Sequence, residues 1–207
     1  MFVMLMTVVG TSLSGVIAPG PMFAVTITKS FKSPWAGTLM SLGHAVVEIP
    51  LIILLYFGFS HFFENTVVQF VFSMLGGLML LWLAFGMLRS PKEVSAGTRD
   101  IKYNSFTAGV VMTGLNPFFI MWWATVGVLL LMKFMAYWEI VALGLAVFII
   151  AHWLCDFIWL TFVSAVVYKT HNLWGATVQA LVFIAAGLLM AGFGVWFIVS
   201  GIQAVIR

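Results

Sequence analysis

Six long apolar runs fill almost the whole chain, at roughly 2–28, 36–58, 67–88, 106–132, 138–166 and 175–204. A helix needs about 20 predominantly apolar residues to cross the hydrocarbon core of a bilayer, and each run is that long. Only helices and closed barrels satisfy their backbone polar groups in lipid. Barrel strands alternate over about 10 residues, whereas these runs are continuous. The expected fold is therefore an all-α membrane protein with six transmembrane helices. Composition excludes the alternatives. Hydrophobic residues make up 63% of the 207 and charged residues 7%, against about 45–50% and about 25% in soluble domains. So few charges cannot cover a water-exposed surface, and disorder requires the opposite balance.

With six spans, alternate loops share a side. Lys29, Lys32, Arg89, Lys92, Arg99, Lys102 and Lys169 fall on one side, Lys133 and Arg207 on the other. The positive-inside rule places the first side in the cytoplasm and both termini outside. The opening Met1-Phe2-Val3 has no basic start and reads as the first span rather than a signal peptide. These features point to a multi-pass protein of the plasma membrane, expected to be a prokaryotic inner membrane. The net charge of +3 comes from scattered loop bases, so no nucleic-acid partner is expected. The single cysteine, Cys155, excludes an internal disulfide and a multi-cysteine metal cage. Nothing calls for a cofactor.

The longest polar stretch, 89–105, divides the chain into two three-helix halves, 1–88 and 106–207, with a cytoplasmic linker between them. Halves of three spans have opposite topology, and three features recur in the same order. The first helix of each half is interrupted, by Ala18-Pro19-Gly20-Pro21 and by Asn116-Pro117. The second carries a histidine four residues before an acid, His44 with Glu48 and His152 with Asp156. The third is glycine-rich, with Gly76, Gly77 and Gly86 in one half and Gly187, Gly192 and Gly194 in the other. The expectation is an inverted repeat of three helices.

Proline removes a backbone donor and clashes with the preceding turn, so Pro19, Pro21 and Pro117 should break helices 1 and 4. Broken helices at membrane depth line cavities and aim their positive N-terminal ends at anionic groups such as a carboxylate. Pro19, Gly20, Pro21, Asn116 and Pro117 are thus substrate-binding candidates, and Ser12, Ser14 and Thr113, just before the breaks, can add hydroxyls. Ionisable residues inside a membrane are costly and mark function. Residues at i and i+4 share a helix face, so His44 with Glu48, and His152 with Asp156, are candidates for proton coupling, and Glu48 also for binding an amino group. The same two imidazoles and two carboxylates, converging from equivalent helices, can alternatively ligate a divalent metal. Trp122 and Trp123 follow the second break closely and can wall a cavity.

Several of these residues together resemble the lysine-exporter-type translocators, the LysE/RhtB-like amino-acid exporters. The resemblance is carried by Ala18-Pro19-Gly20-Pro21, by Ala36-Gly37 leading through Gly43 to Glu48, and by Phe106-x-x-Gly109 leading to Leu115-Asn116-Pro117. It covers nearly the whole chain. Glu48 departs from the pattern, since the family typically has Gly-Asp there. The resemblance implies a secondary transporter, not an enzyme, that exports amino acids or similar small metabolites, driven by proton antiport. Its partners would be the small-molecule substrate, protons and the bilayer, and glycine-rich faces are compatible with a homodimer. The superfamily also holds heavy-metal exporters, which keeps a divalent-metal transporter using the His/acid pairs as the alternative.

Overall fold

A computed structural model describes residues 2–17, 20–59, 65–89 and 103–206. Most of the linker, the second-span exit at 60–64 and Pro19 lie outside the described residues. The elements are α1 (Phe2–Val16), α2 (Pro21–Ser30), α3 (Ala36–Tyr56), α4 (Thr66–Arg89), α5 (Ser105–Gly114), α6 (Pro117–Trp122), a π-helical turn (Trp123–Gly127), α7 (Val128–Met135), α8 (Val141–Thr170), a 3₁₀ turn (His171–Leu173) and α9 (Ala176–Ile206). The described residues contain no strand. Five stretches are long and apolar enough to cross a bilayer: Ala36–Tyr56, Thr66–Gly86, Pro117–Met135, Val141–Leu173 and Ala176–Ile206. Helices α1 and α2, bent by 73° relative to each other, make a sixth when taken as one broken span.

Both expected interruptions are present, in a particular form. Proline does not kink a continuous helix; it starts a new one. Pro21 opens α2 and Pro117 opens α6, each at the first helical position behind an extended residue, Gly20 or Asn116. Proline is favoured there, because its missing N–H would have no partner inside the helix. The fourth run therefore splits into α5 and a second segment that continues from α6 to Met135. Pro50, by contrast, lies within α3, which runs through it.

Large apolar side chains cover the outside: Leu39, Leu42, Val46, Ile53 and Leu54 on α3, and Leu75, Leu78, Trp82 and Phe85 on α4, are exposed. Such a surface is stable in lipid and not in water. The inside holds two apolar clusters. One joins Leu51, Ile52 and Leu55 of α3 to Leu131, Phe134 and Met135 of α7, Phe148 of α8 and Val8 of α1. The other joins Met40 of α3 to Ala24 and Val25 of α2, Ala108 of α5, and Val163 and Val167 of α8. Both draw on α3 and α8, and between them each helix carries its histidine and its acid.

Without a hydrophobic drive between helices in lipid, close packing of small residues holds the bundle. Helices α3 and α5 approach through Gly43, whose missing Cβ would overlap the Phe106 carbonyl, and Gly109, whose missing Cβ would overlap that of Met40. Gly37 brings α3 as close to the Leu160 carbonyl of α8. The glycine-rich helices α4 and α9 pack on one another, with Gly77 against the Gly194 carbonyl and Gly194 against that of Gly77. At the α2 end, the Lys29 ammonium is buried and donates to the Tyr103 carbonyl just ahead of α5. Phe31 there meets His171 at a tilt and Trp174 edge-on beyond α8. The basic ends of α2 and α8 therefore meet at one end of the bundle.

Gly109→Ala is expected to lower stability by about 1–3 kcal/mol, the usual cost of overpacking, because its neighbour is backbone that cannot rotate away. Gly86→Ala, with nothing within 4 Å, should leave stability unchanged or slightly improved. Thermal unfolding of the two variants in detergent measures the difference.

Candidate functional site

Helices α3 and α8 run antiparallel in a register set by polar contacts. Thr38 Oγ1 meets Thr161 Oγ1 at 3.0 Å, and Trp153 Nε1 donates to the Ser41 carbonyl at 3.0 Å. One and two turns further along α3 come His44 and Glu48, opposite Asp156 and His152. The two i, i+4 pairs expected from the sequence thus merge into one four-residue cluster. Glu48 Oε1 is its centre. It lies 2.9 Å from His44 Nε2 and 3.1 Å from His152 Nε2, and it accepts a hydrogen bond from Trp123 Nε1 at 3.2 Å. Asp156 closes the figure, with Oδ1 3.8 Å from His44 Nε2 and Oδ2 4.0 Å from His152 Nε2. All four residues are buried, with exposures of 5% for His44, 1% for Glu48, 3% for His152 and 7% for Asp156.

The far nitrogen of each imidazole is held from the opposite half of the chain. Ser12 of α1 places Oγ 2.6 Å from His152 Nδ1, and Thr113 of α5 places Oγ1 2.8 Å from His44 Nδ1. Each hydroxyl has one proton, and each already donates to its own helix: Ser12 to the Val8 carbonyl at 2.6 Å, Thr113 to that of Gly109 at 2.7 Å. A carbonyl cannot donate, so where the hydroxyl gives its proton to the carbonyl, Nδ1 carries a hydrogen and donates to the hydroxyl. Each Nε2 then faces the Glu48 carboxylate, and since an ionised carboxylate only accepts, a proton on Nε2 or on the carboxyl joins each pair. Ser12 is fully buried and does not line the cavity.

A cavity of about 270 Å³ reaches the cluster and is lined by His44, Glu48, His152 and Asp156, by Thr113 and Asn116, and by an apolar wall that includes Met22, Phe119, Trp122, Trp123, Phe193 and Trp196. Gly20 to Phe23, the first turn of α2, also line it, and no side chain caps that helix. The second break differs. Asn116 accepts from the amides of Phe118 and Phe119, so the start of α6 is already capped. Among the sequence-predicted residues, Gly20, Pro21, His44, Glu48, Asn116, His152 and Asp156 line the cavity; Pro117 is buried beside it, against Gly76 of α4. Ser14 does not line the cavity: its side chain is exposed and donates to the Thr11 carbonyl, because the helical twist turns it away from the face that Ser12 presents. Pro19 is outside the described residues.

Trp123 is the site residue whose role the sequence did not disclose. It was legible as a cavity wall, but not as a donor to Glu48. The π-helical turn at Trp123–Gly127 shifts the register after α6, and Gly127 leaves room for the Trp123 ring to lie back over the turn. Aromatic rings enclose the imidazoles. Phe119 meets His44 edge-on at 5.3 Å, Trp123 meets His152 at 4.8 Å, and Phe148 stacks on His152 at 6.2 Å.

Ser12→Ala and Thr113→Ala each leave a buried imidazole N–H without its acceptor. Each is expected to cost about 1–3 kcal/mol, and Ser14→Ala to be neutral. Thermal melts of the three purified variants check this.

No curated protein and no solved structure matches the chain at a significant level. The profile of the LysE type translocators matches residues 13–201, which takes in both breaks and all four cluster residues. A family of membrane translocators rather than of enzymes accords with a buried polar cluster under a cavity between broken helices. The chain belongs to the LysE type translocator family.

Proposed function

We propose that this protein is a secondary transporter that exports amino acids or related small metabolites in exchange for protons. The observation that carries this reading is the convergence of the cavity, the uncapped start of α2 and the His44–Glu48–His152–Asp156 cluster at one place. The substrate carboxylate sits at the first turn of α2, where free N–H groups and the helix dipole favour an anion. The Glu48 carboxylate takes the substrate ammonium or the coupling proton, one displacing the other. The Nε2 atoms beside it supply the relay. An apolar, aromatic wall favours a substrate with an uncharged side chain.

The crossed contacts support two inverted three-helix repeats. Helix α1 of one half packs on α8 of the other, α5 packs on α3, and the third helices α4 and α9 pack together. Alternating access then comes from rocking one repeat against the other about the cluster. The basic ends of α2 and α8 face the cytoplasm in this reading, both termini lie outside, and the membrane is a prokaryotic inner membrane. A homodimer is compatible with the exposed apolar faces.

In proteoliposomes with an internal pH dye and a fixed potassium diffusion potential, uncharged amino acids should drive proton movement. Glu48→Gln should abolish that movement while the protein still elutes as a folded species. Wild-type proton flux in Glu48→Gln would remove Glu48 from the coupling role. Flux with lysine and arginine alone would overturn the substrate class.

A further inference from the structure

We propose that the four-residue cluster is also a binding site for a divalent transition-metal ion of the zinc, cobalt or nickel class. Three polar atoms of the cluster lack a hydrogen bond in residues more than nine-tenths buried: Glu48 Oε2, Asp156 Oδ2, which lies 4.0 Å from His152 Nε2, and His44 Nε2, which meets Glu48 Oε1 at 2.9 Å without hydrogen-bond geometry. Buried polar atoms are normally satisfied, and exceptions call for an explanation. With a hydrogen on each Nδ1, toward Ser12 and Thr113, both Nε2 atoms and both carboxylates turn lone pairs toward the same space. Lone pairs facing one another repel unless a cation lies between them. One proton joins only two of the four groups, whereas one metal ion joins all of them.

The geometry suits such an ion. Metal–ligand distances of 2.0–2.2 Å to imidazole and carboxylate correspond to ligand–ligand separations of about 3.3–3.5 Å in a tetrahedral site. The four imidazole–carboxylate contacts, two of them to different oxygens of Asp156, measure 2.9, 3.1, 3.8 and 4.0 Å, on either side of that range. Ligand atoms of His44, Glu48 and Asp156 lie within 4.8 Å of one another, and His152 Nε2, 3.1 Å from Glu48 Oε1, stands beside that set as the proposed fourth ligand. Two carboxylates balance a divalent charge. Two imidazoles select against magnesium and calcium, which take oxygen ligands. Metal-binding histidines usually donate their other N–H to an outer acceptor that fixes the ring, and Ser12 and Thr113 occupy those positions. The i, i+4 spacing lets each helix supply a histidine and an acid from one face. The inference does not depend on amino-acid export, but a bound metal and a coupling proton would compete for the same atoms.

The test titrates Co²⁺ into the purified, chelator-stripped full chain in detergent and follows its visible ligand-field spectrum. The expected result is one ion per chain with the intense bands of a four-coordinate site. The bands should be lost in His44→Ala and in His152→Ala and kept in His171→Ala, which removes a half-buried histidine outside the cluster. Ser12→Ala should keep the bands and weaken binding by about 10–100-fold, as loss of an outer partner does. If the alanine variants misfold, Glu48→Gln and Asp156→Asn keep the volume and should lose the bands. Absence of four-coordinate bands in the wild type, or bands that survive both cluster histidine substitutions, would overturn the proposal.

Discussion

Two carboxylates and two imidazoles sit midway along helices otherwise built for lipid, and the interior is arranged around their burial. An ionised side chain at the centre of a membrane helix costs about 2.5–3.5 kcal/mol even on the mildest scale. The cost falls when the groups meet one another. Antiparallel packing of α3 on α8 brings them together, and the glycine contacts at Gly37, Gly43 and Gly109 allow that packing to be close. The two apolar clusters on either side keep the polar centre isolated. Removing one partner of such a set leaves the others uncompensated, so the four residues act as a unit.

The two helix breaks serve the centre differently. At the second, Asn116 uses its own side chain to cap α6, which makes that break self-sufficient. At the first, Gly20 has no side chain to offer and α2 begins uncapped beside the cavity. The proposed carboxylate site is therefore placed at α2. The hydroxyls near the two breaks are more alike: Ser12 and Thr113 each bind an imidazole carried by the other half of the chain. This crossing couples the breaks to the cluster, and a movement of α1 or α5 would be felt at the histidines.

Much of this was legible in the sequence, for identifiable reasons. Span number and helical class follow from apolar run length, a signal that lipid makes nearly unambiguous. The breaks are legible because proline acts locally. The His/acid pairs stand out because charge is so rare in these runs. What was not legible depends on rotation and on contacts between distant segments. Ser12 rather than Ser14 reaches the site, a difference set by the helical phase of α1. Trp123 donates to Glu48 because a π-helical turn changes the register after α6, and no local sequence pattern announces such a turn. That the two pairs form one cluster depends on the register between α3 and α8, which polar contacts 100 or more residues apart in sequence determine.

The central claim is that both imidazoles carry a hydrogen on Nδ1 and turn Nε2 toward the carboxylates. Nitrogen-15 NMR of the histidine-labelled protein in bilayers tests it directly, with His44→Gln and His152→Gln used for assignment. The account predicts that in the neutral rings of His44 and His152 Nδ1 is the protonated nitrogen and Nε2 the bare one. Rings protonated at Nε2 and bare at Nδ1 would mean that Ser12 and Thr113 donate rather than accept. The convergence of lone pairs on which both the relay and the metal site rest would then be contradicted.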